Sequence, residues 1–274
     1  MKKKISSFLV HLELILVALF VLLPIVWIVT SSFQVGNGLA SATLIPKELT
    51  IHNYIRLFRD TNYSDWFRNS FVIASLNATI SVILIMLTAW VMSRFRFTGR
   101  KIGLMSILII SMFPTFLSMT AIYTLFWNFR LLDKPIALVI IYAAGAIPYN
   151  VWLVKGYLDG IPIEIDEAAY IDGSSYLKTF ISMVLPLSKP IITYCAVSQF
   201  MMPWMDYILP NMLLSSDENR TLAVGLYSLI SGKENSNFTM FAAGSVLIAV
   251  PITILFLLFQ SYLVKGIAQG ANKG

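Results

Sequence analysis

The sequence predicts an all-α membrane protein: a polytopic bundle of six transmembrane helices with both termini in the cytoplasm. Three observations carry this. Residues of the AVILMFWYC set make up 57% of the 274 residues and charged residues only 12%, about half the charged share of a soluble domain. Such a chain has too few polar groups to cover a water-facing surface, and too many apolar ones to stay disordered. No Lys, Arg, Asp or Glu occurs between Glu13 and Lys47, Arg68 and Arg94, Lys101 and Arg130, Lys134 and Lys155, or Glu234 and Lys265. Each gap holds the roughly 20 apolar residues that a helix needs to cross a bilayer. A sixth run, Pro190 to Pro210, is broken only by Asp206. Finally, the basic residues stand in short groups between these stretches, as loop charges that set membrane orientation do.

The spans fall at about 10–32, 69–93, 102–126, 135–155, 188–212 and 239–264. Residues 1–9 and 265–274 are then cytoplasmic ends flanking a membrane domain of 10–264. The outer loops are 33–68 and 213–238, and the long inner loop is 156–189. The first apolar run is too long for a cleaved leader, and no small-residue cleavage site follows closely. With the amino terminus inside, 12 basic residues lie in the cytoplasm and 8 outside, against 6 and 8 acidic ones. The inside therefore nets +6 and the outside zero. The segment Arg94-Phe95-Arg96-Phe97-Thr98-Gly99-Arg100-Lys101 is the clearest anchor, with four positive charges between two spans. Prolines 24, 114, 148, 203, 210 and 251 lie in or near spans, where each removes a backbone donor and favours a kink. Pro203 and Pro210 bracket Asp206. The outer half of the fifth span is thus the candidate for irregular helix lining a cavity.

Several chemistries are excluded. One cysteine, Cys195, forbids an intrachain disulfide, and with His11 and His52 it cannot make a structural zinc site. No phosphate loop of the Gly-x-x-x-x-Gly-Lys-[Ser/Thr] form occurs, so the chain should not hydrolyse ATP by itself. Neither histidine neighbours a plausible nucleophile, and no basic run suits nucleic acid. Ionisable residues near midplane are scarce, which weighs against an ion-driven carrier. The composition describes a membrane bundle with no energy source of its own.

The inner loop 156–189 is the longest cytoplasmic connection and the only acidic one. Asp159, Glu164, Asp166, Glu167 and Asp172 stand against Lys155, Lys178 and Lys189 at its ends and within it. Pro162 suits a first helical position. Glu164, Asp166 and Glu167 suit a helix amino terminus, and Gly173 suits the left-handed residue that ends one. Ile161, Ile165, Ala168 and Ala169 are expected on one face. A helix of about ten residues results, with small side chains for close approach and carboxylates for pairing with Arg.

The run Glu167-Ala168-Ala169-Tyr170-Ile171-Asp172-Gly173-Ser174, followed by Leu185-Pro186, resembles the EAA motif of binding-protein-dependent ABC importer permeases. It departs from the common pattern at Ser174 and Met183, both changes that keep size or hydrophobicity. Asn53-Tyr54, Asn69-Ser70, Ser93–Arg100, Leu131-Leu132-Asp133, Ile147-Pro148 and Ile161-Pro162 resemble the carbohydrate-uptake members. Thr221-Leu222-Ala223-Val224-Gly225 and the tail Leu263–Gly274 are most similar to the second, six-span permease subunit of maltose/maltodextrin importers.

That resemblance implies the type I ABC importer permease fold in a bacterial cell membrane. It implies a non-catalytic subunit importing a carbohydrate, with maltose or maltodextrin foremost. A galacto-oligosaccharide, glycerol phosphate, or an ion-coupled carrier are the alternatives. The partners implied are a second, different permease, a homodimeric cytoplasmic ATPase that carries the ATP-Mg, and an extracytoplasmic sugar-binding protein; this chain itself would bind no cofactor and no nucleic acid. Glu167, Ala168, Ala169, Asp172 and Gly173 would couple to the ATPase, with both alanines in its cleft. Asn219, Arg220, Asn235 and Asn237 would meet the binding protein, and Gln199, Trp204 and Asn211 are candidates to line the sugar path.

Overall fold

The structure, a computed structural model, describes residues 2–38, 44–46, 48–231 and 237–271, with side chains described from residue 9 to 261 except at 115. Asn235, and the side chains of Lys2–Lys4, Lys265 and Lys273 used in the charge argument, lie outside this set. Among the described residues there are helices and turns but no strands, only an isolated bridge between Gln34 and Leu49. This is the outcome lipid dictates: a helix satisfies its backbone hydrogen bonds internally, where no water can.

Among the described residues, four helices are long and apolar enough to cross a membrane unbroken: Leu9–Ser32, Tyr63–Arg94, Pro135–Leu158 and Phe238–Ser261. They belong to α1 (Lys2–Ser32), α3 (Tyr63–Arg94), α6 (Pro135–Leu158) and α13 (Phe238–Ala271). Two bent pairs complete the six expected crossings if each counts as one. Arg100–Ser111 and Phe116–Asn128 meet at 87°, and Tyr176–Leu187 and Lys189–Met205 at 81°.

The 87° bend falls inside the third expected span and the 81° bend at Ser188, where the fifth was expected to begin; a further break at Asp206 shortens the fifth. The third does not run unbroken over 102–126: α4 (Arg100–Ser111) stops, Pro114 is extended at φ −64°, ψ 116°, and the chain restarts toward α5 (Met119–Asn128). Proline's missing donor and the restriction it places on the residue before it explain the site of the break. The fifth does not run to 212. After α10 (Lys189–Met205), Asp206 turns extended at ψ 122°, and α11 (Ile208–Leu213) follows. Asp206 Oδ1 accepts the Ile208 N–H at 2.9 Å, capping α11, while Oδ2 accepts from the Tyr142 hydroxyl at 2.8 Å. Irregular helix was expected here; its agent is the carboxylate between the two prolines.

The chain divides into two compact units. One comprises the residues to Trp66 with Val224–Pro251. Its helix α1 is exposed along its apolar length. The end of α1 is tied down by α2 (His52–Asp60): buried Asn53 donates to the carbonyls of Ser32 at 3.0 Å and Gln34 at 2.8 Å. Those carbonyls have no helical partner, so the Asn53-Tyr54 pair is a clasp, with the Tyr54 hydroxyl 2.7 Å from Ser32 Oγ. In α12 (Leu222–Ser228), Gly225 faces the Trp66 indole so closely that any Cβ would enter the ring.

The other unit comprises Phe67–Ala223 with Ile252–Gly274. It holds one apolar cluster around Ile85, Ala89, Trp90, Val154, Leu158, Phe180 and Ile191, and a second around Ile73, Phe126, Leu138, Tyr142, Leu209 and Leu213. Between α3 and α10, wholly buried Asn77 donates to the carbonyl of Gln199 at 2.7 Å. That carbonyl lies four residues before Pro203, which has no N–H to offer it. Asn77 thus supplies the donor that proline removed, and Ser81 Oγ holds the amide by donating to its Oδ1 at 2.9 Å.

The prediction is a coupled one. Asn77→Ala should lower stability by about 1–3 kcal/mol, the scale for stranding a buried acceptor, and Pro203→Ala should remove most of that loss by restoring a helical donor. A double-mutant cycle of thermal unfolding in detergent measures it; equal losses in both backgrounds would refute the pairing.

Candidate functional site

The inner loop folds as expected into a short helix, α7 (Glu164–Ile171), with Glu164, Asp166 and Glu167 in its first turn. Gly173 takes φ +81°, and the backbone closes with Gly173 N–H donating to Tyr170 O at 3.0 Å and Ser174 N–H to Ala169 O at 2.9 Å. This pair of bonds satisfies the final carbonyls and needs a residue that tolerates the left-handed region.

The faces of α7 differ from expectation. Asp166 and Ala169, one turn apart, are buried in the chain's own interior. Ala169 is therefore not available to enter a partner's cleft, and the face expected to gather Ile161, Ile165, Ala168 and Ala169 is split. Glu164, Glu167, Ala168 and Ile171 point outward, and Ile171 keeps 86% of its surface exposed. Asp172 and Gly173 are exposed beside them.

Asp166 is the residue the sequence reading missed. Its carboxylate lies 2.6 Å from Arg94 Nε, with side chains only 3% and 7% exposed. The contact is an ion pair rather than a directed hydrogen bond, and Arg94 Nη2 also donates to the carbonyl of Ile161 at 3.0 Å. Next to it, Ser93 Oγ donates to Asp159 Oδ1 at 2.6 Å, and Lys155 Nζ to Asp159 Oδ2 at 2.6 Å. The available signal was the spacing of Asp166 three residues before Ala169, one turn along the same helix, and Arg94 as the last residue of a span. Neither identifies its partner, because the two lie 72 positions apart.

Asp133 organises the loop that follows α11. Its Oδ1 accepts the N–H groups of Ser215 at 2.9 Å and Ser216 at 3.0 Å, and its Oδ2 accepts Ser216 Oγ at 2.6 Å. Asn219 Nδ2 donates to the Asp133 carbonyl at 2.8 Å and to Ser216 Oγ at 3.0 Å. Arg220 Nη1 pairs with Asp217 at 2.7 Å, and the carbonyls of Glu218 and Arg220 accept from Asn69. Asn219 and Arg220 are thus engaged within the chain. Asn237 is half-buried, its N–H donating to Leu229 O at 2.8 Å.

The three path candidates do not converge. Trp204 is buried against Phe67 and Phe200 with no partner for Nε1 among the described residues; Gln199 is half-buried, and Asn211 is exposed. A cavity of about 640 Å³ opens instead at the bend between α4 and α5. It is lined mainly by apolar groups, with Tyr142, Tyr149, Ser111 and Ser118 as its hydroxyl-bearing residues and no charged side chain. Ala144 and Pro148 also line it. Pro148 has no N–H for the Ala144 carbonyl four residues earlier, so that acceptor is left without its helical donor. No group of three or more His, Cys, Asp or Glu residues is placed to hold a metal among the described residues.

A bent-helix bundle carrying an anchored helix on its inner loop is the architecture of a transport permease. The model of the binding-protein-dependent transport system inner membrane component family matches residues 81–269, and the chain belongs to that family. It is accordingly a multi-pass subunit of the cell membrane that performs no catalysis itself. It is 42% identical over 264 residues to the maltodextrin transport system permease protein MdxG of Bacillus subtilis, covering 96% of this chain and 95% of that one. It is 36% identical to the galactooligosaccharides transport system permease protein GanQ of the same organism, covering 96% and 94%. A bacterial ABC transporter involved in the import of the acidic polysaccharide alginate shares the fold, with a TM-score of 0.84 at 24% identity over 96% of this chain and 98% of that one.

Asp133 furnishes a pH prediction. Burial pushes its pKa up, but the bonds from Ser216, Ser215 and Asn219 outweigh that and hold it below the ordinary value. A depressed carboxylate contributes stability above its unfolded pKa, about 3.9, and loses it as pH falls through the lower folded value. Protection factors for amide exchange at 213–219 should stay high from pH 7 to 5 and fall below about pH 4. Asp133→Ala should show low protection throughout. A wild-type profile with no acid limb would refute the role.

Proposed function

We propose that this chain is one of two permeases in an ATP-driven importer of a neutral oligosaccharide of the maltodextrin kind, and that α7 docks to a cytoplasmic ATPase. The single observation that carries the reading is the two-sidedness of α7. Asp166 and Ala169 seat it on the membrane domain, while Glu164, Glu167, Ala168 and Ile171 serve no contact within the described chain that would explain an exposed isoleucine beside two carboxylates. Such a face suits a protein groove containing Arg, with Ala168 admitting close approach.

ATP-Mg would belong to the ATPase. Closure of that partner would move α7 and, through it, the spans as rigid bodies, switching the cavity between the two sides. The orientation follows the basic residues, with both termini and α7 in the cytoplasm. An extracytoplasmic binding protein would deliver sugar at the outer side, where Asp133 preorganises the 215–220 loop. The substrate class rests on the maltodextrin relative at 42% identity. The cavity's described lining, which includes no Lys or Arg to meet a phosphate, also supports a neutral sugar over glycerol phosphate.

Alone in proteoliposomes with ATP and labelled maltodextrin, this chain should give no uptake above empty vesicles; robust uptake would overturn the proposal. In the assembled transporter, Glu167→Ala should reduce ATPase pull-down and sugar uptake at least tenfold, about 1.4 kcal/mol or more, with normal membrane abundance. Wild-type values in both assays would remove α7 as the docking element. Competition by unlabelled galacto-oligosaccharide against maltodextrin tests the substrate class.

A further inference from the structure

We propose that the buried Arg94–Asp166 pair is the joint through which motion of α7 is passed to the long helix α3, making both of them positioning residues for coupling; this rests on the reading of α7 as the docking helix. Three contacts converge on the last two residues of α3. Arg94 meets Asp166 at 2.6 Å and the Ile161 carbonyl at 3.0 Å, and Ser93 reaches Asp159 at 2.6 Å. They grip the loop ahead of α7 and α7 itself, within eight residues of sequence.

The chemistry of the joint decides what it transmits. An apolar contact would let α7 slide over the end of α3, because such contacts are non-directional. Sliding the ion pair apart strands two desolvated charges, and that is far more costly. The pair therefore resists slippage while adding little net stability, since an ion pair can often be replaced by apolar residues without loss. Arg94 is also the final residue of a 32-residue helix. A displacement at its end is carried along a rigid element rather than absorbed in a loop. The remaining carboxylate oxygen, Asp166 Oδ1, is buried without a hydrogen-bond partner among the described residues, so the Asp166 carboxylate has no second such partner to fall back on if Arg94 is lost.

The test uses the complete transporter, reconstituted with its ATPase, second permease and binding protein, and reads maltodextrin imported per ATP hydrolysed. Asp166→Asn should lower that ratio at least fivefold while ATPase pull-down stays within twofold of wild type. Arg94→Lys keeps the charge but gives up the planar reach to both Asp166 and Ile161, and should lower the ratio less. A merely structural role would lower membrane abundance, pull-down and uptake together and leave the ratio unchanged; with Arg94→Lys also at the wild-type ratio, that result overturns the proposal even if Asp166→Asn accumulates poorly. Glu167→Ala separates the two levels. If it abolishes pull-down while the ratios of both joint variants are normal, the joint is wrong and α7 still docks. If it too is wild type, the docking reading fails along with the joint.

Discussion

The structure is governed by one constraint: inside a bilayer no water is available to a backbone N–H or C=O, so the chain must satisfy each one itself. The long apolar stretches meet it as helices. The breaks are the instructive places. Pro203 removes a donor from α10, and Asn77 on α3 replaces it. Asp206 caps α11 where the helix has just been interrupted. Asn53 receives the end of α1 through the carbonyls of Ser32 and Gln34. Each polar side chain stands where the sequence has broken a helix or where one ends, and this explains why so apolar a chain keeps buried amides.

The same logic separates two kinds of buried polar group. Asn77 and Asn53 repair backbone, so their partners are carbonyls and their value is local. Arg94 and Asp166 have no backbone defect of that kind to repair; both bring full charge into a dry site. A pair of this sort is a poor stabiliser and a good registration device, because its energy depends steeply on the two groups staying together. The outer loop uses the third arrangement, a carboxylate surrounded by donors at Asp133, which preorganises exposed backbone without a countercharge.

The helices were legible because lipid makes composition nearly sufficient evidence. Gaps between charges located the four unbroken helices and the first bent pair; of the second, only Lys189–Met205 lay in an expected span, Tyr176–Leu187 having been expected in the inner loop. The left-handed end of α7 was legible from Gly173 alone, since few other residues take φ near +81° without strain. The bends were only half legible. Pro114 marked the first and the Pro203–Pro210 bracket the break at Asp206, but nothing in the sequence reading marked the 81° bend at Ser188, and proline tolerates anything from a slight kink to the 87° turn seen after α4. The size of the angle depends on what packs around it. The path candidates were chosen by residue type, yet Trp204 went into an aromatic cluster with Phe67 and Phe200, and the cavity formed elsewhere, with a mainly apolar lining.

The sequence by itself determined the solvent of this protein, its helical class, the position of its inner helix and the residues that end that helix. These follow from composition, from charge spacing and from local backbone geometry, which act over a few residues. Tertiary structure alone decided which face of α7 is seated, that Ala169 is inside and Ala168 outside, and that Asp166 belongs to Arg94. Consecutive positions on a helix point about 100° apart, so two neighbouring alanines that could share one broad face can also fall on either side of its edge. Which of them is buried is settled by the charge waiting on α3, 72 residues earlier in the chain.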